Sequence, residues 1–318
     1  MSKIGVLLTN TGTPDAPTKS AVRRYLREFL SDKRVVQLPR FIWLPILYGL
    51  VLTLRPKKSV ALYKKIWTSD GSPMRVHMQN MASRLQQTLG ATPVEIGMNY
   101  GNPSILQGLK NLHAQKVSQV IALPLFPQYS HTTTASSFDH IEKALKKISS
   151  AVTITPVEHY HTHPAYIHSL VNSVKNSWKQ TGRQSHLLIS FHGIPKRFAS
   201  AGDPYPSHCE QTSKLLAEDL QLKHDEWTLC FQSQFGYDKW LTPSTQNLLT
   251  ELPKRGIEHV DIICPGFSVD CLETLEEIMI QGKEIFIEAG GKTLNYIPAL
   301  NDSDDQIAVL TDVLLAVT

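Results

Sequence analysis

The stretch LLISFHGIP, residues 187–195, decides the fold class: an apolar run of strand length ends at a histidine and breaks into a turn with glycine and proline. The stretch VDIICPGFSVDCLE, residues 260–273, has the same form and ends in carboxylates. In an open α/β sheet, ligands bind beyond the carboxyl ends of the strands. The two stretches therefore predict that His192, Asp270 and Glu273 share one site.

Strand-length apolar runs alternate with helical patterns along the whole chain, and this alternation predicts parallel sheets flanked by helices. The strand candidates are residues 4–8, 95–98, 120–125, 152–156, 186–190, 226–232 and 260–264.

The two halves of the chain also resemble each other. LLTNTGTP at residues 7–14 aligns with residues 188–195, and residues 120–133 align with residues 261–274. We therefore predict an α/β protein of two similar doubly wound lobes, with the site in a cleft between them. The predicted domains are an N-terminal lobe over residues 1–170 and a C-terminal lobe over residues 171–318.

Composition and charge restrict the function. The net charge of +4 and the pI near 8.7 are mild, and no long basic run occurs, so we expect no nucleic-acid binding. The four cysteines form no C-x-x-C pair, which fits a reduced cytoplasmic protein and no zinc or cluster site. The N-terminal apolar run is too short for an export signal.

Residues 41–54, FIWLPILYGLVLTL, form the longest uncharged apolar stretch. A spanning helix needs about 20 apolar residues, so this segment is not expected to cross a bilayer. It is either a buried helix or an exposed apolar lip in contact with a membrane surface. Basic residues on both sides favour the lip slightly, because they match anionic headgroups.

The chemistry rests first on His192, which is the natural proton acceptor near neutral pH unless it only hydrogen-bonds its own loop. The D-x-x-E spacing of Asp270 and Glu273 is typical of a helix capping box. However, Asp270, Glu273 and Glu277 also share one face of a helix, where three carboxylates indicate a path for a divalent metal or for protons. Glu276 is expected to be a solvated charge.

Other side chains are candidates for binding a planar, anionic ligand. Cations before the turn at residues 70–73 could hold carboxylates, although charges on a helix face are usually only solvated. Aromatic residues could line a pocket, although they are more often core. The histidines of EHYHTH, residues 158–163, allow a metal site, but they lead directly into a proline and a helix, which argues against it.

Many short motifs of the chain together resemble ferrochelatase, the family that inserts ferrous iron into protoporphyrin IX at the end of haem synthesis. They include LTNTGTP (8–14), FLSD (29–32), GSP (71–73), GMNYG (97–101), PQYS (127–130), SFHGIP (190–195), GDPYP (202–206), FQS (231–233), WLTP (240–243) and DCLETL (270–275).

The resemblance implies two Rossmann-like lobes around a porphyrin cleft, and it assigns roles to single residues. By it, His192 and Glu273 are catalytic, and His192, Glu273, Asp270 and Glu277 handle the metal. Arg55, Lys58 and Ser72 match positions that hold porphyrin propionates, and Tyr63, Tyr129 and Trp240 match pocket walls.

The same resemblance implies a lyase that acts on protoporphyrin IX and Fe²⁺ as substrates, with no permanently bound cofactor. Some members carry an iron–sulfur cluster, but here the chain ends at Thr318 and His131 stands at the position of one cysteine ligand, so we expect no cluster. We also expect a monomer, cytoplasmic or peripheral to the inner face of the membrane. A chelatase for another tetrapyrrole or metal and a porphyrin or haem carrier are the alternatives; the apolar pocket argues against the first and the acidic row against the second.

Overall fold

The computed structural model describes residues 3–148, 152–236 and 238–317. The residues form two compact units. The first comprises Met1–Phe126, Ser130–Glu158 and Val313–Thr318, and the second comprises Pro127–Tyr129 and His159–Asp312. The units change between Glu158 and His159, whereas the predicted division at 170/171 falls inside a helix of the second unit. The outer limits of the predicted domains, residues 1 and 318, lie outside the described residues.

The first unit is built on a four-stranded parallel sheet in the order β2-β1-β3-β4. The strands are β1 (Ile4–Asn10), β2 (Val94–Met98), β3 (Gln119–Pro124) and β4 (Thr153–Pro156). The helices are α1 (Lys19–Ser31), α2 (Arg40–Ile46), α3 (Leu52–Ile66), α4 (Pro73–Leu89), α5 (Ile105–Ala114) and α6 (Thr134–Leu145), with a π-helical segment at Leu47–Val51. Leu7 of β1 packs with Leu109 and Leu112 of α5 in the core.

The second unit repeats this plan with the order β6-β5-β7-β8, again parallel. The strands are β5 (His186–His192), β6 (Trp227–Gln232), β7 (His259–Ile263) and β8 (Thr293–Ile297). The helices are α7 (Pro164–Thr181), α8 (Lys196–Ser200), α9 (Tyr205–Asp219), α10 (Thr245–Glu251), α11 (Lys283–Glu288) and α12 (Asp304–Leu315), with a 3₁₀ turn at Pro253–Arg255 and a π-helix at Leu272–Gly282. The last residues of α12, from Val313 onward, belong to the first unit.

The identical strand orders confirm the predicted α/β class and the internal repeat. The alignment of residues 7–14 with 188–195 places β1 on β5, and both are inner strands of their sheets. The alignment of residues 120–133 with 261–274 places β3 on β7, which occupy the next equivalent position. Strand β8 was absent from the predicted set, because TLNYI carries polar residues and forms a half-buried edge strand.

Residues 41–54 do not form a buried helix. They run through α2, the π-helical segment and the start of α3, and Pro45 lies inside α2 without ending it. The exposed apolar side chains of this segment are Phe41, Ile42, Ile46, Tyr48, Leu50 and Leu54, with Phe41 79% exposed. Leu47 and Leu52 are buried and attach the segment to the unit. Within the described ranges, no helix is both long enough and apolar enough to cross a membrane.

Candidate active site

His192 is the last residue of β5, and its ring is partly buried at the carboxyl end of the sheet of the second unit. Its Nδ1 lies 2.7 Å from the carbonyl oxygen of Gly193. A carbonyl only accepts hydrogen bonds, so this contact places the proton on Nδ1 and leaves the lone pair on Nε2. Binding its own loop was the alternative role for His192. The same hydrogen bond to Gly193 also leaves Nε2 free to act as a base.

The turn after His192 requires glycine. The backbone N–H of Gly193 donates to the Gln232 carbonyl at 2.8 Å. A Cβ on Gly193 would lie 2.8 Å from that carbonyl oxygen and 3.3 Å from the Trp240 ring. The close approach of these three residues fixes the direction in which β5 presents the histidine.

Glu273 and Glu277 are carried by the π-helix Leu272–Gly282. The predicted capping box of Asp270 and Glu273 is wrong by one residue: Cys271 stands at the N-cap, and its backbone N–H donates to Thr274 Oγ1 at 3.0 Å. Glu273 is therefore not used as a cap. π-Helical turns are uncommon and occur frequently at functional sites.

Glu277 is held by one residue at the end of β6. The Ser233 N–H donates to Oε1 at 2.7 Å, and Ser233 Oγ donates to Oε2 at 2.5 Å. Ser233 has a φ of +62°, a left-handed conformation that is uncommon for a residue with a side chain and often marks functional sites.

Effects of opposite sign determine the pKa of Glu277. Burial raises its pKa, the bonds from Ser233 and the field of His192 lower it, and the field of Glu273 raises it again. The net result is a pKa above the ordinary value for glutamic acid. His192 and Glu273 therefore lie close enough to Glu277 for their charges to affect its pKa.

Gln232 links the π-helix to the sheet. Its Nε2 donates to the main-chain carbonyl of Glu273 at 2.7 Å, while its Oε1 accepts from Ser190 Oγ at 2.9 Å. The Cys264 thiol also contacts Oε1, at 3.3 Å. This buried amide holds the start of the helix beside β5, β6 and β7.

Asp270 is buried before the helix, not on its face. Its oxygens accept from Tyr296 at 2.5 Å, Asn301 at 2.7 Å and Thr274 at 2.9 Å. Since protein donors surround both oxygens, this carboxylate serves as an anchor between the helix and the segment after β8. Glu276, expected in solvent, is 1% exposed and accepts a hydrogen bond from Gln281 at 2.6 Å, so that expectation was wrong.

Two predicted pocket-wall residues lie in the second unit. Trp240 packs against Gly193, and its Nε1 donates to the Phe235 carbonyl at 2.9 Å. The Tyr129 N–H donates to His208 Nδ1 at 3.2 Å.

The other four of the six predicted porphyrin-binding residues lie in the first unit. Arg55 and Lys58 are exposed on α3, and Tyr63 is buried with its ring edge-on to Trp67. Ser72 is buried before α4 and shares a 2.8 Å hydrogen bond with Thr13.

No sequence pattern predicted a role for Gln232, Ser233, Tyr296 or Asn301. The first two fall in the FQS motif at the end of β6, a position that the strand-end rule could have selected. Tyr296 and Asn301 had no such signal. Among the described residues, no group of three or more His, Cys, Asp and Glu side chains is arranged to hold a metal ion.

The chain is similar to known proteins over nearly its whole length. A family model described as Ferrochelatase matches residues 3–317. Ferrochelatase 1 of Shewanella oneidensis is 50% identical over 311 residues, covering 96% of this chain and 93% of that protein. The ferrochelatase of Vibrio cholerae is 48% identical over 308 residues, covering 97% of this chain and 96% of that protein.

Solved structures share the fold at low identity. SirB from Bacillus subtilis with Fe³⁺ has a TM-score of 0.58 and 12% identity, covering 99% of this chain and 95% of that chain. CbiX, described as the terminal enzyme for biosynthesis of sirohaem in denitrifying bacteria, has a TM-score of 0.54 and 12% identity, with 99% of each chain covered. At this identity the likeness extends to the fold alone.

Proposed function

The chain belongs to the ferrochelatase family, and we infer that it inserts Fe²⁺ into protoporphyrin IX, forming protohaem with release of two protons. The match over residues 3–317 carries this conclusion. The enzyme is a metal-inserting lyase, and iron and the porphyrin are its substrates. The test is anaerobic loss of protoporphyrin fluorescence that depends on both the protein and Fe²⁺.

His192 is the proton acceptor in this proposal. Two pyrrole N–H protons must leave the porphyrin before the nitrogens can bind iron. The bond from Nδ1 to Gly193 leaves Nε2 with its lone pair, and general bases of this kind contribute about 10²- to 10⁴-fold in rate.

Glu273 and Glu277 receive the protons from His192. Glu277 has a raised pKa because it is buried beside Glu273, so it takes up a proton more readily than an exposed glutamate does. The same oxygens are ligands of the type that a divalent cation in transit accepts. Asp270 supports this path as an anchor, because its oxygens are already occupied by Tyr296, Asn301 and Thr274.

The porphyrin-binding roles rest on the family motifs. Arg55 and Lys58 supply cations for the propionates, together with the Ser72 hydroxyl. Tyr63, Tyr129 and Trp240 supply aromatic surface for the macrocycle. These assignments are tested by the affinity for protoporphyrin of single variants.

The exposed apolar segment 41–54 is a surface for peripheral membrane contact. Protoporphyrin is poorly soluble in water, and a lipid-facing surface lets the enzyme collect it from a bilayer. The exposed apolar side chains and the basic residues that follow them on α3 fit an interfacial helix. The monomeric state stays a prediction.

The enzyme works without an iron–sulfur cluster in this proposal. Cys209, Cys230, Cys264 and Cys271 are all free and buried. Burial raises the pKa of each thiol, that of Cys230 to about 12, so they stay protonated near neutral pH, whereas cluster ligands are thiolates.

The fluorescence assay also separates the proposal from its alternatives. A carrier would bind protoporphyrin without turnover. A chelatase for a more carboxylated tetrapyrrole would turn over that ring faster than protoporphyrin when both are offered with the same metal.

A further inference from the structure

Three histidine rings, those of His159, His161 and His208, pack together in the second unit. The rings of His161 and His208 are stacked, with centroids 3.6 Å apart and planes 8° from parallel. The His159 ring lies edge-on to both, at 4.9 Å from His161 and 5.1 Å from His208. His159 and His161 follow β4, and His208 lies on α9.

The hydrogen bonds of the stacked pair define its tautomers. His208 Nδ1 lies 3.2 Å from the backbone N–H of Tyr129, which can only donate. Nδ1 is therefore the acceptor, and the ring proton is on Nε2. Gln211 donates through Nε2 to Ser207, so its Oε1 accepts from His161 Nε2 at 3.2 Å. The bond from Tyr129 therefore requires a neutral His208 ring.

The arrangement does not suit a metal ion, the alternative raised by the histidines of residues 158–163. Lone pairs lie in the planes of their rings, so two parallel stacked rings cannot direct them to one point. No trio of candidate ligands with suitable geometry occurs in the described part of the chain. His161 Nδ1 is buried and has no hydrogen-bond partner.

The cluster contacts one continuous segment, Pro127–Tyr129, which belongs to the second unit. The Pro127 carbonyl accepts from the Tyr160 N–H at 3.0 Å. Gln128 Nε2 donates to Thr212 Oγ1 at 2.9 Å, and that hydroxyl donates to the His161 carbonyl at 2.9 Å. With the bond from Tyr129 to His208, each residue of the segment is fixed by the cluster or its immediate neighbours.

We propose that His208 is a positioning residue for the porphyrin site: its Nδ1 holds the backbone of Tyr129, and the stacked His161 ring holds His208 in the accepting orientation. The inference rests on the proposed function, in which Tyr129 forms a wall of the porphyrin pocket. His208 touches no substrate and acts only through Tyr129.

The cluster keeps this acceptor available at neutral pH. Burial, together with repulsion from the neighbouring histidines, lowers the pKa of both rings to about 4. A proton on His208 Nδ1 would remove the acceptor for Tyr129. The His208 ring therefore remains a neutral acceptor at neutral pH.

Two variants at one position separate the acceptor from the ring. His208→Leu removes both the acceptor and the stack. His208→Asn removes the stack but keeps an acceptor, because Asn Oδ1 is attached to Cγ as His Nδ1 is. We expect the Tyr129 amide to exchange with solvent up to about tenfold faster in His208→Leu, with a similar loss of protoporphyrin affinity. His208→Asn should stay closer to wild type than His208→Leu in both measurements, since it loses only the stack, and the KM for Fe²⁺ should not change in either variant.

The outcomes are distinct. Equal Tyr129 exchange in all three proteins overturns the proposal, as does equally fast exchange in both variants. Faster exchange in His208→Leu with unchanged protoporphyrin affinity overturns the positioning role.

Two further measurements keep the test independent of folding and of the proposed function. If His208→Leu does not fold, the ¹⁵N shifts of the wild-type His208 ring decide, since a protonated Nδ1 at neutral pH would overturn the proposal. Wild-type protein that turns over no protoporphyrin contradicts the proposed function, whereas amide exchange still reports on the contact between His208 and Tyr129.

Discussion

Ser233 donates two hydrogen bonds to the Glu277 carboxylate, from its backbone N–H at 2.7 Å and from its Oγ at 2.5 Å. The two bonds stabilise the charged form of Glu277 and counter the effect of burial, which raises its pKa. Ser233 occupies a left-handed conformation at φ +62°, so a glycine can replace it without backbone strain. Removing the Ser233 hydroxyl should therefore change the pKa of Glu277 without straining the backbone.

We expect Ser233→Gly to raise the pKa of Glu277 further. Glu277 must be ionised to take up a proton, so the acid limb of the pH–rate profile should move to higher pH. Profiles of kcat for wild type and variant check this. Ser200→Ala, which loses an exposed hydroxyl on α8, is the control and should leave the profile unchanged. An identical profile for Ser233→Gly would exclude Glu277 as the titrating group.

His192→Ala should abolish iron insertion while protoporphyrin still binds, because the imidazole moves protons and contributes little contact area. The expected loss of turnover is about 10²- to 10⁴-fold. Turnover is followed by fluorescence and binding by titration. His224→Ala removes an exposed histidine as a control. A His192→Ala variant with more than half of the wild-type turnover would remove this residue from the mechanism.

Glu273→Gln should reduce turnover by about 10²- to 10⁴-fold without lowering the melting temperature, because a glutamine cannot take up the proton. The helix N-terminus does not depend on Glu273, since Thr274 accepts from the Cys271 N–H. Thr274→Val is the contrasting variant: it loses that bond and the bond to Asp270, and should melt at a lower temperature. Normal turnover in Glu273→Gln would contradict its catalytic role.

Strand ends and the repeat were predictable because they depend on local apolar patterns. His192 could be located because a strand followed by glycine and proline must present its last side chain at the sheet edge. The position of Ser233 at a strand end could have been selected in the same way, but its role could not be predicted, because that role depends on a left-handed backbone and on the register of β6 beside β5. Glu276 was assigned to solvent by counting with the α-helical period, and the π-helix Leu272–Gly282 changes which residues share a face.

Asp261 should make the protein less stable as the pH rises. Its buried carboxylate accepts from Trp178, Asn295 and the Gln184 N–H, but burial outweighs these bonds and raises its pKa. The folded state therefore binds this proton more tightly than the unfolded state. Between the unfolded pKa, about 3.9, and the raised folded value, the free energy of unfolding falls with rising pH.

Asp261→Asn should remove this contribution. As the pH rises from about 4 to about 7, the free energy of unfolding should therefore fall less in the variant than in wild type. Urea unfolding at several pH values measures the two slopes. Asp312→Asn, at an exposed position, is the control and should follow wild type. Parallel curves for wild type and Asp261→Asn would contradict the raised pKa.

The exposed and buried apolar residues of segment 41–54 separate membrane contact from packing. Phe41, Leu50 and Leu54 are 79%, 57% and 62% exposed, whereas Leu47 is fully buried. Replacing the three exposed residues by serine removes apolar area worth about 25 cal/mol per Å² from any lipid contact and leaves the core intact. We expect the triple variant to lose co-sedimentation with anionic liposomes at an unchanged melting temperature. Leu47→Ser should do the opposite, because truncating a buried leucine costs about 2–5 kcal/mol of stability. Wild-type protein that never sediments with liposomes, or a triple variant that sediments as well as wild type, would show that this apolar surface does not bind lipid.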